Sequence, residues 1–328
     1  MALIGYTCSY VPVELLSATG LRPYRLLHGD ITLSKEGEKV VRVDACPLVK
    51  SNLAYLIKHE NKFSALVGST GCDMARRMYD VAAELTHLPV YVINTPRTDN
   101  PTIYNEEIDW LVRKLEHMAN REFTPELLAS EIDQWENARS YYRGLDRKRA
   151  ASPSLLSTAV FHHAIAHYYK GEIDAKPIFT EHASEKPRVF LLGSSISYEA
   201  NTILELIEKE LQIVGDFNCG LSRVLNIEIR EKSLTGIKNA YYNQPPCIFK
   251  RPNSKFYDWI QERIAGLDCV GIIAWTLDYC DIYEFELNTV EKRFDLPVLR
   301  IRSDFSYQNL TQLRTRIAAF GEMLCSRI

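Results

Sequence analysis

The 328-residue chain is 46% hydrophobic and 25% charged, with a formal net charge of −3. That balance gives no electrostatic reason to expect nucleic acid or an anionic membrane as a partner. The opening "MALIGYTCSYVPVELL" has no basic leader, and no run of about 18 apolar residues occurs anywhere, so the chain reads as cytoplasmic. In such a reducing compartment the 8 cysteines are expected to be buried hydrophobes or metal ligands rather than disulfide partners.

The length predicts two domains. "ALIGY" reads as a strand leading to Cys8, and "VPVELLSATG" as a short helix with Pro12 in its first turn and Gly20 at its end. "YRLL" and "KVVRV" read as strands, and "CPLVKSNLAYLIKHE" as a helix with Pro47 near its start. "FSALVG" is a predicted strand, "CDMARRMYDVAAELTH" a helix, "LPVYVIN" a strand and "TIYNEEIDWLVRKLEHMANR" a long amphipathic helix. This alternation predicts a mostly parallel sheet with helices on both faces.

Strand signals then vanish. Two helices are expected, with cap signals at Thr124 and Ser152, followed by a polar, proline-bearing linker, "EIDAKPIFTEHASEKP". The alternation restarts with "PRVFLLGSSI" (strand and turn), "YEANTILELIEKEL" (helix) and "QIVGDFN" (strand). "FYDWIQERIAGL" reads as a helix, "DCVGIIAWTL" as a buried strand and "CDIYEFELNTVEKRF" as a helix; "LPVLRIRSD" and the helix "TQLRTRIAAFGEML" close the chain. The predicted division is an α/β domain over 1–122, a helical connector and linker over 123–185, and a second α/β domain over 186–328. Both α/β units are of the Rossmann/flavodoxin-like parallel-sheet type. "LLGSSIS" and "VGSTG" match neither a dinucleotide fingerprint nor a Walker loop and read as plain strand-to-helix turns.

Binding sites in open α/β sheets form beyond the carboxyl ends of the strands. Cys46, Cys72, Cys219 and Cys280 all fall at predicted strand ends, Cys8 follows the first strand, and Cys247 sits in the rigid loop "NQPPCIFKRP". Cys269, inside an apolar strand, and Cys325, in the last helical turn, read as structural thiols. "CPLVKS", "CDMARR" and "CDIYEFE" put sulfur at helix starts, where the dipole and free N–H groups are expected to lower a thiol pKa. The six are spaced by 26 to 147 residues, with no C-x₂₋₄-C zinc pair and no ferredoxin run, so the fold must assemble any shared site. Thiolate-only ligation favours iron–sulfur, while zinc stays open. Two cubanes sharing one sulfide leave six irons to be capped by protein, which six thiolates match.

"CSYVPVELLSATGLRP", "ACPLVKSNL", "STGCDMARRMYD", "DFNCG", "PPC", "YCDIYEFE" and "TRIAAFGEML" together resemble, in order and over nearly the whole chain, the 2-hydroxyacyl-CoA dehydratase superfamily. That group includes benzoyl-CoA reductase subunits and double-cubane cluster proteins. In dehydratase subunits the resemblance implies ligands at Cys46, Cys72 and Cys280 and one [4Fe–4S] cluster. The double-cubane branch adds Cys8, Cys219 and Cys247, all present here. That branch implies a reductase with an [8Fe–9S] cluster in the cleft between lobes, a separate ATP-hydrolysing iron–sulfur activator, a small-molecule substrate and a homodimer. Relatives often carry a helical arm before the segment matching "GYTCSYVP", which here begins close to residue 1. The alternatives are loss of water from a 2-hydroxyacyl-CoA thioester, or a cluster-bearing electron carrier without a substrate site.

Other side chains invite weaker readings. Glu14 is a proton-donor candidate six residues after Cys8, though a carboxylate at a helix start is the plainer account. His162, His163 and His167 have near-helical metal spacing but lack the accompanying Glu, so a core-edge face is expected. Arg314 and Arg316 fit an anionic ligand and an ordinary helix surface equally well.

Overall fold

The computed structural model describes residues 2–151, 156–175, 186–306 and 310–327. The N-terminal part contains β1 (Leu3–Tyr6), α1 (Val13–Ser17), β2 (Arg22–Arg25), α2 (Ile31–Gly37), α3 (Pro47–Lys58), β3 (Phe63–Ser69), α4 (Asp73–Leu85), β4 (Val90–Ile93) and α5 (Pro101–Ala119). Helices α6 (Pro125–Ala151) and α7 (Thr158–Tyr169) follow. The C-terminal part holds β5 (Arg188–Gly193), α8 (Asn201–Glu208), β6 (Gln212–Phe217), α9 (Leu234–Tyr242), α10 (Ser254–Gly266), β7 (Gly271–Leu277), α11 (Asp281–Glu284), α12 (Leu287–Arg293), β8 (Val298–Ser303) and α13 (Leu310–Cys325).

Apolar runs without alternation become central parallel strands because helices cover both faces. Every residue of β7, "GIIAWTL", is buried, and β3 is nearly so. The outcome is two four-stranded, all-parallel sheets, ordered β2-β1-β3-β4 and β6-β5-β7-β8. In each, the chain first steps to one side and then crosses back over its first strand. The resulting switch points lie between β1 and β3 and between β5 and β7, where Rossmann-like sheets open a crevice at their carboxyl ends.

The lobes meet along those ends. Tyr198, after β5, donates its N–H to the Leu27 carbonyl (2.8 Å) and its hydroxyl to the Arg25 carbonyl (2.8 Å). Glu199 accepts from the Gly29 N–H (2.7 Å) and lies 2.9 Å from His28 Nδ1. Helix α6, capped by the Thr124 hydroxyl, which accepts from Leu127 N–H at 3.3 Å, is pinned to both lobes by fully buried ion pairs. Arg139 meets Glu14 of α1 at 2.6 Å, and Arg149 meets Asp216 of β6 at 2.6 Å.

Several local expectations are corrected. "KVVRV" forms turns rather than a strand, with Val43 66% exposed. There the chain is turned by α2, whose Gly37 presses on α3: an added Cβ would lie 2.4 Å from the Lys50 carbonyl oxygen. Lys50 Nζ then holds the loop through the Val43 carbonyl (3.0 Å) and Glu38 (2.7 Å). Helix α7 is capped by Ser157, whose Oγ accepts from Val160 N–H (3.2 Å); Ser152 lies outside the described residues, as do 176–185 of the expected linker. The helix expected from Cys280 onward is split into α11 and α12 at Phe285–Glu286, where the Glu286 carboxylate is held by Arg251 (3.0 Å), Asn253 (2.8 Å) and the Tyr257 hydroxyl. Helices α2 and α9 went unread, although Asp30 and Ser233 cap them. Among the described residues no helix is long and apolar enough to cross a membrane.

Candidate functional site

The carboxyl ends of both sheets face one cavity of about 170 Å³, and Cys8, Cys46, Cys72, Cys219, Cys247 and Cys280 all line it. Cys8 lies two residues beyond β1, Cys219 two beyond β6, and Cys72 and Cys280 each three beyond β3 and β7. Cys72 and Cys280 are also the N-caps of α4 and α11. Cys46 departs from expectation: it caps α3, but it is reached from turns and not from a strand. Cys247, after Pro245 and Pro246, is held by its own N–H, which donates to the Tyr10 hydroxyl at 3.3 Å.

Apolar side chains such as Leu26, Leu27, Val49, Met78, Ile248 and Phe249 form much of the remaining wall. No Asp, Glu or His among the described residues lines it. Among those residues no three His, Cys, Asp or Glu side chains converge tightly enough to hold one metal ion. Six thiols spread around the wall of one cavity suit a polynuclear group, which takes several thiolate ligands, better than a four-coordinate zinc ion.

Electrostatic neighbours divide the six into two sets. Cys46 feels chiefly Cys280 and Cys72, and Cys72 feels Cys280. Cys247 feels Cys219 and Cys8. Tyr283, buried, feels Cys247, Cys219 and Cys280 and so stands between the sets.

Helix starts do aim N–H groups at sulfur: Val49 and Leu48 at Cys46, Ala75 and Met74 at Cys72, and Tyr283 at Cys280. Burial nevertheless wins, pushing Cys72 up to about 11 and raising Cys46 and Cys280 as well, so the expected lowering is corrected. Burial also pushes Cys247 up to about 12 against the pull of Arg223. Cys219 is the exception. Burial raises it, but the Arg223 and Arg25 guanidinium groups outweigh that and hold it below the usual thiol value.

Both arginines are almost completely buried. Arg223 places Nη1 3.7 Å from Cys219 Sγ and on the Ser9 hydroxyl, gives Nη2 to the Pro245 carbonyl (2.9 Å), and lies over the Tyr10 and Phe217 rings. Its Nε has no hydrogen-bond partner among the described residues. Arg25 donates Nη1 to the Cys219 carbonyl (2.7 Å) and Nε to the Thr7 carbonyl (3.3 Å), under the Tyr169 ring. Neither was singled out from sequence. Arg223 carried a signal, one helical turn after Cys219 in "CGLSR"; Arg25 in "YRLL" carried none.

The "LLGSSIS" turn lines this cavity too. Gly193 has φ 145°, and a Cβ there would lie 1.7 Å from the Trp275 carbonyl oxygen. Ser194 Oγ accepts from Leu277 N–H (3.2 Å), and Asn218 Oδ1 accepts from Ile196 N–H (2.9 Å) and Gly220 N–H (2.8 Å), locking the turn against β6 and β7.

The remaining candidates lie elsewhere. Glu14, in the first turn of α1, is buried against Arg139 and accepts from the Tyr241 hydroxyl (2.8 Å), away from the cavity. His162 is buried, His163 exposed, and His167 pairs with Glu172 at 2.7 Å, so the three share no ligand geometry. Arg314 and Arg316 are exposed on α13, and Arg316 donates to the Arg300 carbonyl (2.6 Å). Cys269 is buried just before β7; Cys325 is exposed rather than built into a core.

Two Rossmann-like units face one cavity in which six thiols stand among apolar side chains, a few hydroxyl and amide groups and Arg25, and this defines a two-lobed α/β protein with a shared, cysteine-lined cleft. Residues 8–324 match the family described as 2-hydroxyglutaryl-CoA dehydratase, D-component, and the chain belongs to that family. Members generally bind an iron–sulfur cluster and work with an activator component. The chain is similar to the Escherichia coli (strain K12) protein described as "Putative dehydratase subunit YjiM", at 23% identity over 98% of this chain and 91% of that protein.

Proposed function

We propose that this chain is an iron–sulfur reductase component in which Cys8, Cys46, Cys72, Cys219, Cys247 and Cys280 hold a double-cubane [8Fe–9S] cluster. The observation that supports it is the convergence of six thiols, in two sets of three, on one cavity without a competing carboxylate or imidazole. When bound, such a cluster supplies low-potential electrons, received from an ATP-hydrolysing activator, for reduction of a small substrate. The protein's part is to fix six sulfurs from distant segments, to offset their negative charge with Arg25, Arg223 and helix N–H groups, and to keep bulk water out with apolar walls. A homodimer is part of the same proposal.

Family membership favours a second reading, a 2-hydroxyacyl-CoA dehydratase subunit with one [4Fe–4S] cluster on Cys46, Cys72 and Cys280. Iron and sulfide analysis of anaerobically purified protein separates the two. About eight irons per chain, falling by about half in Cys8→Ser or Cys247→Ser, supports the first; about four, unchanged by those substitutions, supports the second.

A further inference from the structure

The two sets of thiols face different charges. Beside Cys8, Cys219 and Cys247 stand two buried, permanently charged guanidinium groups. Arg223 is 3.7 Å from Cys219 sulfur, and Arg25 is 2.7 Å from the Cys219 carbonyl. Lys250 adds a half-buried ammonium over the Tyr10 ring, bonded to the Pro96 carbonyl at 2.7 Å. Beside Cys46, Cys72 and Cys280 the balance is reversed. Lys50, one turn past Cys46, is neutralised by Glu38 at 2.7 Å, and Arg76 is paired with Asp73. Cys72 feels Asp73, itself paired with Arg76, and Cys280 feels Asp281 and Glu284, eased by helix-start N–H groups and the Ser194 hydroxyl, with no buried guanidinium beside them among the described residues. In a dry site of low dielectric a full charge a few ångströms away acts far more strongly than in water.

We infer that Arg25 and Arg223 make the two halves of the bound group redox-inequivalent: the half held by Cys8, Cys219 and Cys247 takes the first electron, at the higher potential. The inference rests on the double-cubane reading. It concerns one external electron entering, with no bond made or broken, and it makes Arg25 and Arg223 tuning residues rather than catalytic ones.

The test is a low-potential redox titration of the full chain, loaded anaerobically and followed by electron paramagnetic resonance, with iron counted in every sample. The wild type is expected to accept electrons in two separated one-electron steps. Arg223→Gln lowers the first step by at least a tenfold change in its equilibrium constant, about 59 mV, and leaves the second in place. Arg223→Lys keeps most of the separation, and Glu284→Gln narrows it from the other side by raising the second step. Arg25→Gln, which leaves the Arg223 contact with Cys219 intact, gives the same downward shift and serves if Arg223→Gln loses iron. Full iron content with both steps unmoved in the two Gln variants, or moved as far by Arg223→Lys, overturns the inference while the double cubane stands. Iron near four in the wild type removes the double cubane itself, and this inference with it.

Discussion

The two lobes repeat one strand order, and each supplies three cysteines, yet the sites they build are not copies. Cys72 and Cys280 are positional equivalents, three residues past the third strand of each sheet. Cys8, past β1, has Ser195 as its counterpart past β5, and Cys219, past β6, has Leu27 past β2. The sets also cut across the lobes: Cys8 joins Cys219 and Cys247, while Cys280 joins Cys46 and Cys72. A duplicated sheet therefore supplies a common geometry of strand ends, and single residues at those ends decide what each end contributes. Each set draws its sulfurs from both lobes.

The largest expected effect falls on the equivalent pair. Cys72→Ser and Cys280→Ser should each remove about half the iron and bring activity to background, whereas Cys269→Ser and Cys325→Ser keep both. Unequal losses from the matched pair would break the equivalence.

The next effect is on attachment to α6. Arg139→Ala and Arg149→Ala each strand a buried carboxylate and should cost about 3–5 kcal/mol in denaturant unfolding. The difference between them shows which lobe holds the connector harder.

The smallest is confined to acid. Burial pushes His162 on α7 down to about 4, against an ordinary value of 6.5. As pH falls from 6.5 towards 4, the unfolded chain takes up the proton first, and stability should drop by on the order of 3 kcal/mol. His162→Phe should flatten that part of the stability–pH curve. An unchanged slope would mean that another group carries it.

Much of this architecture was readable because parallel strands buried on both faces leave uninterrupted apolar runs, as in "FSALVG" and "DCVGIIAWTL". The gathering of the six cysteines followed from their places at element boundaries. What misled was "KVVRV", whose β-branched residues look like a strand but whose path is set by the distant Lys50 and by the tight approach of Gly37 to α3. Thiol acidity was also misjudged, because local helix geometry is visible in sequence and depth of burial is not. Arg25 escaped for the same reason: nothing in an edge-strand "YRLL" says that its guanidinium crosses to the other lobe's Cys219 carbonyl.

Gly193 sets a tolerance for the whole assembly. At the φ of 145° that Gly193 adopts, a Cβ would be aimed at the Trp275 carbonyl of the paired strand β7, so only a hydrogen fits there. Even one methyl group there would wedge the pair apart just where the following turn meets Cys280. The placement of Cys280 beyond β7 is thus gauged, in part, by the absence of a single carbon atom.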